Sequence, residues 1–439
     1  SFCIFRPISK AKFMKKKVLL FTAYFPPRRR VGSLRPFRFA TQLKNRGWDV
    51  YVISIKDSKA SLTSEEQAML EGIHQFEIEA PFDQTQQKTG KKDSGHKAKP
   101  LSDFIDRNFP IDTWLPLFWR NHKQIIEYVG SIKPDIMWSS SDPWSVNHTA
   151  RKIAHRFKLP WVADFRDPWT LCSVRYGSRS WPLGHIDRKA ERRILEEADH
   201  ITFTAASTQK KYEQHYTFIT EKSSVIYNAF RQYSKEDLRL DAEPELDQEK
   251  LNILFLGTFR ALSSAESILR VLNVFKQKYA DHLNQLRIYS MAELRGTDRN
   301  RAGRLGLDRL FLSIKRVPNT QVQALQHYFD LNLLSTHPER NDIIPAKLFD
   351  YLPSENPIFS LAPNPEVGEI IRKTQRGFHF EPGETEQAAD QLFHLLKLKK
   401  GANLKADRLK VNTEALIPYT EEATASRLED IFNQILKDG

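Results

Sequence analysis

The chain has 439 residues, of which 40% are hydrophobic and 28% are charged, and its formal net charge is +13. This length exceeds what one hydrophobic core usually organises, so we expect two domains. No run reaches the ~18 apolar residues that a membrane-spanning helix needs, which argues against a membrane-embedded class. Two cysteines, Cys3 and Cys172, exclude a disulfide framework and a cysteine-based metal cluster, and they favour a reducing cytoplasm.

The excess of positive charge predicts an anionic partner: a nucleic acid, an anionic membrane surface or a phosphorylated substrate. The basic residues form small clusters along the whole chain, and the sequence contains neither zinc-finger spacing nor an aromatic RNA-binding motif. We therefore expect no nucleic-acid partner. Peripheral contact with anionic lipid, at the inner face of the cytoplasmic membrane, and a merely solvated basic surface both remain open.

The chain begins with a strand, a loop, a helix and a second strand. The apolar run Lys17–Tyr24 predicts a buried strand, Leu34–Arg46 has helical spacing, and Asp49–Ser54 predicts the next strand. This order is typical of a βαβ unit, in which ligands bind at the carboxyl ends of the strands. The loop after the first strand, with Arg28–Arg30 and Gly32, therefore lies on the ligand side.

The alternation of strands and helices continues through the first half of the chain. Strands are predicted at Ile136–Ser139, Trp161–Asp164, Ile201–Thr204 and Ser224–Tyr227, and helices at Val146–Phe157, Ile186–Ala198 and Ser207–His215. We expect Ser139–Ser145 to form a small-residue loop and Ser207 to be the N-cap of its helix. The polar, Lys-rich stretch 83–100 predicts a flexible insertion.

A turn at residues 165–169 places Arg166, Asp167 and Trp169 at the carboxyl end of a predicted strand. Such a position indicates a functional site in an α/β protein, although a salt-bridged structural turn is the alternative. His148, in the preceding helix, is the nearest histidine. A lone helix histidine can be catalytic or structural, and both interpretations stay open.

The pattern restarts after a polar, acidic stretch at residues 231–250, which predicts a linker. Leu251–Leu256 begins a fresh strand, and a loop with Gly257 and Arg260 follows it. The restart predicts an α/β fold of two Rossmann-like domains. We place a first domain at 14–228, a linker at 229–249, a second domain at 250–416 and a last helix at 417–439.

One later stretch combines an acidic turn, Pro345 and a short amphipathic segment that holds Lys347. Pro is tolerated in the first turn of a helix, so Ala346–Leu352 predicts a helix whose N-terminus could attract phosphate. Asp342 and Asp350 flank this segment. An ordinary capped surface helix is the alternative interpretation.

The order of these motifs resembles that of glycosyltransferases with the two-domain GT-B fold, specifically retaining enzymes of family-4 type. Four stretches carry the resemblance: Tyr24-Phe-Pro-Pro27 with Gly32 and Arg35, Asp164-Phe-Arg-Asp-Pro-Trp169, Val225-Ile-Tyr-Asn228, and Ile344-Pro-Ala-Lys-Leu-Phe-Asp-Tyr-Leu352. The last is similar to the "IPxKLFEYL" form of the family's E-x7-E motif. The resemblance covers residues 17 to about 437. It implies two Rossmann-like domains that face each other across a cleft, with an N-terminal acceptor-binding domain at 14–228 and a nucleotide-sugar-binding domain at 250–416. It also implies that the C-terminal helix crosses back to the first domain.

The resemblance also implies roles for residues at the matching positions. Asp342 would face the donor sugar, Asp350 would lie near the nucleotide ribose, and Lys347 would lie near the diphosphate. The family's usual Arg and Lys after the first strand of the second domain are not matched, and Arg260 is the nearest substitute. A guanidinium can bind phosphate through two hydrogen bonds, so this replacement is chemically sound.

We therefore expect a glycosyltransferase that moves a sugar, with retention, from a nucleotide-sugar to a glycan or lipid-linked acceptor, in surface polysaccharide or glycolipid synthesis. We expect neither a cofactor nor a metal. The predicted residues are Asp342, Asp167, Arg166 and His148 for catalysis, Gly32, Gly257, Arg260, Lys347 and Asp350 for the donor, and Arg30, Arg35 and Trp169 for the acceptor. The alternatives are a degenerate GT-B protein that binds without turnover and a nucleotide-sugar epimerase.

Overall fold

A computed structural model describes residues 15–28, 31–80, 108–172, 176, 179–234, 236, 238–260, 263–400 and 411–438. Its strands are β1 Lys17–Thr22, β2 Asp49–Ile55, β3 His74–Ile78, β4 Ile136–Ser141, β5 Trp161–Phe165, β6 His200–Phe203, β7 Ser223–Val225, β8 Leu251–Phe255, β9 Leu286–Ser290, β10 Phe311–Ser313, β11 Leu331–Ser335, β12 Ile358–Leu361 and β13 Gly377–Phe380.

The helices are α1 Leu34–Asn45, α2 Ser64–Leu70, α3 Leu115–Arg120, α4 His122–Ile132, α5 Trp144–Phe157, α6 Trp181–Glu197, α7 Ala206–His215, α8 Glu266–Lys278, α9 Gly296–Leu305, α10 Val322–Gln326, α11 Ala346–Tyr351, α12 Pro365–Thr374, α13 Thr385–Lys400 and α14 Glu421–Asp438. Short 3₁₀ segments connect several of them, among them Thr217–Lys222.

The strands form two parallel sheets with the same winding. The first has the order β3-β2-β1-β4-β5-β6-β7, and the second has the order β10-β9-β8-β11-β12-β13. In each sheet the chain starts in the middle, moves to one edge, and then returns to build the other side. The strand order thus reverses beside β1 in one sheet and beside β8 in the other, where open α/β sheets bind ligands. The predicted fold class is confirmed, whereas the domain limits stay a prediction.

Both faces of each sheet are covered, which explains the continuous apolar runs in the sequence. One cluster under the first sheet includes Leu19, Phe21 and Trp161, and a second on its other face includes Leu20 and Trp138. The second sheet has two such clusters as well. Parallel strands buried on both sides need apolar side chains in both directions, so their sequences lack alternation.

The last helix, α14, packs against the first domain. Its Leu428 and Phe432 are fully buried in the cluster that includes α1 and β1. The ring centroids of Phe432 and Trp48 are 5.6 Å apart, and the Trp48 Nε1 donates to Glu429 at 2.9 Å. The return of the C-terminal helix to the first domain is thereby confirmed.

Several local predictions differ from the structure. The predicted loop Ser139–Ser145 is wrong in part, because the strand β4 continues through Ser141 and α5 begins at Trp144. The prediction of Ser207 as N-cap is also wrong, since Ala205 occupies the cap and no side chain of this segment bonds there. Residues 83–100 lie outside the described part of the chain. Among the described helices, none is long and apolar enough to cross a membrane.

Candidate active site

The carboxyl end of β8 brings Gly257 and Lys347 together. Gly257 has φ +88, a left-handed conformation that glycine adopts without strain. A Cβ at this position would lie 3.7 Å from the Lys347 Cε, so the lysine stem lies against the loop backbone. The Lys347 ammonium lies 3.6 Å from the centroid of the Phe255 ring, in cation–π geometry. Two predicted donor-binding residues are therefore neighbours.

Helix α11, which carries Lys347, is fixed by Tyr351. The Tyr351 hydroxyl accepts a hydrogen bond from the Leu256 N–H at 2.9 Å and donates to the Leu333 carbonyl at 3.0 Å. These bonds attach the helix to both β8 and β11. The helix has only six residues, so its dipole is small, and the side chain of Lys347 is a better candidate for phosphate binding than the helix N-terminus.

The charged groups of α11 are perturbed in opposite directions. Burial lowers the pKa of Lys347 to about 7, and the nearby Arg260 adds to this, while Asp350 opposes it. Burial also raises the pKa of Asp350 to about 6, against the effect of Arg38 and Lys347. Perturbed groups of this kind concentrate at functional sites. For Lys347, an anionic ligand could supply the missing counter-charge.

Arg260 lies on the same loop as Gly257. Its Nε donates to the Thr258 Oγ1 at 2.9 Å, and its side chain is exposed. Its backbone forms a pair of hydrogen bonds with the backbone of Ser263. Arg260 is close enough to depress the pKa of Lys347, so this edge of the sheet holds two cations that repel each other. A bound diphosphate would remove that repulsion.

Asp342 lies at the contact between the two domains rather than in an open cleft. One carboxylate oxygen is 3.1 Å from the Lys211 Nζ, and the Asp342 carbonyl accepts from the Thr208 Oγ1 at 2.6 Å. Both partners belong to α7 of the first domain. Asp342 is only 6% exposed, and its Oδ1 is buried without a hydrogen-bond partner among the described residues.

The same helix, α7, receives its cap from the second domain. The Glu366 carboxylate accepts from the N–H groups of Ala206 and Ser207, both at 2.8 Å, and from the Tyr227 hydroxyl at 2.8 Å. Asn364 donates to the Ser207 Oγ at 3.0 Å. A carboxylate at a helix N-terminus satisfies unpaired N–H groups and interacts favourably with the dipole. The two domains therefore meet through a polar, charge-assisted contact.

In the first domain, Arg35 is part of a buried network. Its guanidinium donates to both Asp164 carboxylate oxygens, at 2.8 Å and 3.1 Å, and to the Tyr227 carbonyl at 2.9 Å. Asp164 also accepts from Ser140 and Thr202, each at 2.7 Å. Arg35 is 5% exposed and Asp164 is fully buried, so this pair holds α1 against three strands.

Arg166 and Gly32 are in direct contact at the carboxyl end of the first sheet. A Cβ on Gly32 would lie 2.2 Å from the Arg166 Nη1, so any larger residue here would require this guanidinium to move. The Arg166 carbonyl accepts from the Thr204 Oγ1 at 2.7 Å, which fixes the turn. Asp167 is half-buried and forms no ion pair with a described residue. The structure thus brings Gly32 beside Arg166, although the prediction assigned them different roles.

The remaining predicted residues occupy other surroundings. Trp169 is 3% exposed and stacks on Trp144, with ring centroids 5.1 Å apart. Burial, with the cations around it, lowers the pKa of His148 to about 4, so this imidazole is neutral at pH 7. Arg30 lies outside the described residues. The roles of these three residues in catalysis or acceptor binding stay predictions.

The sequence reasoning missed Lys211, Glu366 and Asn364. A local signal existed for one feature: Asn364 followed by Pro365 is a helix-start pattern, and its side chain does accept from the Glu366 N–H. Nothing in the sequence indicates that Glu366 caps a helix of the other domain. In the described part of the chain, no group of three His, Cys, Asp or Glu side chains is placed to hold a metal ion.

Comparisons with known proteins agree with this architecture. The family model described as Glycosyltransferase Family 4 matches residues 37–231. Comparison with curated protein sequences gives no match. Sucrose-phosphate synthase from Thermosynechococcus elongatus superposes with a TM-score of 0.66 at 13% identity, over 97% of this chain and 100% of that one.

Two further solved structures show the same fold. A glycosyltransferase from Rickettsia africae gives a TM-score of 0.58 at 14% identity, over 97% of this chain and 100% of that chain. HepE of Anabaena in complex with UDP gives a TM-score of 0.62 at 12% identity, over 95% of this chain and 100% of that chain. The match to the family model therefore spans β2 to β7 of the first domain, and the likeness to solved structures, which extends over both sheets, shows that the chain has the GT-B fold.

Proposed function

We propose that the protein is a retaining glycosyltransferase that moves a hexosyl or related group from a nucleotide-sugar to a glycan or lipid-linked acceptor. The main support for the proposal is that Gly257, Arg260 and Lys347 lie close together at the carboxyl end of β8. Structures of HepE hold UDP, and UDP with glucose, which supports a nucleotide-sugar as donor. Surface polysaccharide or glycolipid synthesis at the inner face of the cytoplasmic membrane is the setting we propose.

The proposed chemistry needs positive charge where the leaving group forms. Breaking the anomeric C–O bond leaves negative charge on the diphosphate, and Lys347 and Arg260 stabilise it. Asp342 contacts the donor sugar and Asp350 the ribose. With retention, the leaving phosphate oxygen accepts the proton of the acceptor hydroxyl on the same face, so a protein nucleophile is not needed. Because two cations neutralise the diphosphate, we propose no resident metal.

We propose that the acceptor lies against the carboxyl edge of the first sheet, where Arg166 and Asp167 are partly exposed. The buried ion pair of Arg35 and the stacking of Trp169 support positioning roles for these two residues, through the elements they hold together. For His148, a neutral imidazole among cations favours a structural role over proton transfer.

One observation favours a second candidate, a degenerate GT-B protein that binds a nucleotide-sugar without turnover. Asp342 is engaged by Lys211 and is almost inaccessible, so its carboxylate does not face an open donor site in this conformation. Transfer requires this ion pair to open or to rearrange when the donor binds. A protein in which the pair never opens would bind the nucleotide and do no chemistry.

The test is hydrolysis and transfer across a panel of nucleotide-sugars, measured by release of the nucleoside diphosphate. Lys347→Ala and Asp342→Ala are the test variants, and Lys373→Ala is a matched control, because Lys373 pairs with Glu369 on the exposed side of α12. We expect loss of donor binding in Lys347→Ala and loss of turnover with donor binding retained in Asp342→Ala. Donor binding without turnover of any donor by the unmodified protein would establish the degenerate alternative.

A further inference from the structure

The outer surface of one helical layer carries an uncompensated positive charge. Helices α3, α5 and α6 pack side by side over the first sheet. Six cations on this surface form no ion pair with a described residue: Arg120, Lys152, Arg156, Arg188, Lys189 and Arg193. We call this surface the basic face. Its two outward acids, Glu196 and Glu197, are already paired, with Arg192 at 2.7 Å and with Arg151 at 2.6 Å.

The basic face also exposes large apolar side chains. Trp181 is 78% exposed, Trp119 58% and Ile186 45%, and Phe218, in the adjoining 3₁₀ segment Thr217–Lys222, is 40% exposed. These are four of the seven large hydrophobic side chains that are exposed in the described part of the chain. Trp181 and Ile186 lie in the first turns of α6. Water-exposed apolar groups gathered on one surface indicate contact with a partner or a membrane.

Cations and apolar groups are interleaved on this surface. The Lys152 Nζ lies 5.8 Å from the centroid of the Trp119 ring, and the Arg192 guanidinium lies 5.7 Å from that of Phe218. Lys152 of α5 and Arg193 of α6 are also both close enough to His148 to disfavour its protonated form. Cations of α5 and α6 therefore lie close to one another, with the rings of Trp119 and Phe218 beside them.

The apolar start of α6 lies toward the proposed acceptor edge. Strand β5 ends at Phe165, and β6 runs parallel to it, so the helix between them must begin at the carboxyl edge of the sheet and run back. Trp181 begins that helix. Arg166 and Asp167 lie at the same edge, directly after β5.

We propose that the basic face docks on an anionic lipid bilayer, with Trp181 and Ile186 at the level of the headgroups. Aromatic side chains settle at the membrane interface, and basic side chains add attraction to anionic lipid. The phosphates of a nucleic acid would also pair with these basic side chains, but Ile186 would then remain exposed to water. Docking this way places the acceptor edge beside the membrane surface, where a lipid-linked acceptor is available. This second step rests on the proposed transfer, whereas the membrane binding does not.

The test is co-sedimentation of the full chain with vesicles of phosphatidylcholine alone or mixed with phosphatidylglycerol. The test variant is Arg188→Glu/Lys189→Glu/Arg193→Glu. The control Arg304→Glu/Arg309→Glu/Lys315→Glu changes the net charge equally, on exposed residues of the second domain. With about 1 kcal/mol per basic residue near an anionic surface, or about fivefold each, loss of three predicts a drop of about a hundredfold.

The expected result is binding to the anionic vesicles that weakens with salt, is kept by the control and is lost by the test variant. Trp181→Ser should weaken binding with no change in charge. Equal binding by test and control variants, or a preference for duplex DNA over vesicles at equal phosphate, would overturn the proposal. Nucleotide-sugar binding, measured in parallel, should be unchanged in every variant, which shows that they fold. If the protein binds anionic vesicles but turns over no donor, the proposed transfer is refuted, whereas the proposed docking surface is supported.

Discussion

Lys347 makes donor binding depend on pH in a predictable direction. Its pKa of about 7 means that the ammonium is largely deprotonated at pH 8 in the donor-free protein. A diphosphate beside it favours the charged form, so binding must take up a proton. Affinity should therefore be full below the lowered pKa and should fall as pH rises above it.

The size of the effect follows from the protonated fraction. Between about pH 6.5 and about pH 8.5 that fraction falls about twentyfold, which corresponds to about 1.8 kcal/mol of binding free energy. Calorimetry with a nucleotide-sugar, whose doubly esterified diphosphate does not titrate in this range, measures both the affinity and the proton uptake. In buffers of different ionisation enthalpy, about half a proton should be taken up at pH 7 and close to one above pH 8.

Lys347→Arg is the matched variant, because a guanidinium stays charged throughout this range. It should bind the donor with an affinity that is nearly independent of pH. Lys347→Ala should bind weakly at every pH. If the unmodified protein shows the same affinity at both pH values, or if Lys347→Arg keeps the slope, Lys347 does not contact the diphosphate.

The same pKa has a consequence for stability. Lysine titrates near 10.4 in an unfolded chain, so the unfolded state binds more protons than the native state between about pH 7 and about pH 10. The buried charge of Lys347 lowers the free energy of unfolding. This effect is fully present below pH 7 and disappears as pH rises through this window. Lys347→Met should therefore raise the melting temperature at pH 6.5 more than at pH 9, and an equal gain at both values would contradict the burial of this charge.

Three further predictions concern the domain contact and the donor loop. Glu366→Gln removes the charge from three hydrogen bonds and should destabilise the contact between the domains by about 2 kcal/mol. X-ray scattering should then show a larger radius of gyration. The control Glu369→Gln, on the same helix, should leave the radius of gyration unchanged. Lys211→Ala should tighten donor binding up to about fivefold by releasing Asp342, and weaker binding would show that Lys211 itself holds the donor. Gly257→Ala should strain the loop by about 1 kcal/mol and lower donor affinity in calorimetry; an unchanged affinity would exclude this loop from the site.

The sequence predicted best those elements whose signal is local. Buried strands such as β1 and β8 appear as continuous apolar runs, and both were placed within two residues. The edge strand β3, His74–Ile78, was missed because it is only half-buried and carries polar residues. Lys347 was placed near the phosphate by resemblance, but its position on the Phe255 ring depends on a contact across 92 positions of the chain, and no local pattern encodes it.

The N-terminus of α7 shows why the domain contact was beyond the sequence. Ser207 suggested a cap because a hydroxyl at a helix start usually accepts from the backbone two or three residues later. In the structure Ser207 lies inside the helix, and the cap is a carboxylate 159 residues away. The helix can do without its own capping side chain only where the second domain supplies Glu366. Opening the cleft therefore leaves the N–H groups of Ala206 and Ser207 to water, and this cost couples the end of a first-domain helix to the same interface that holds Asp342.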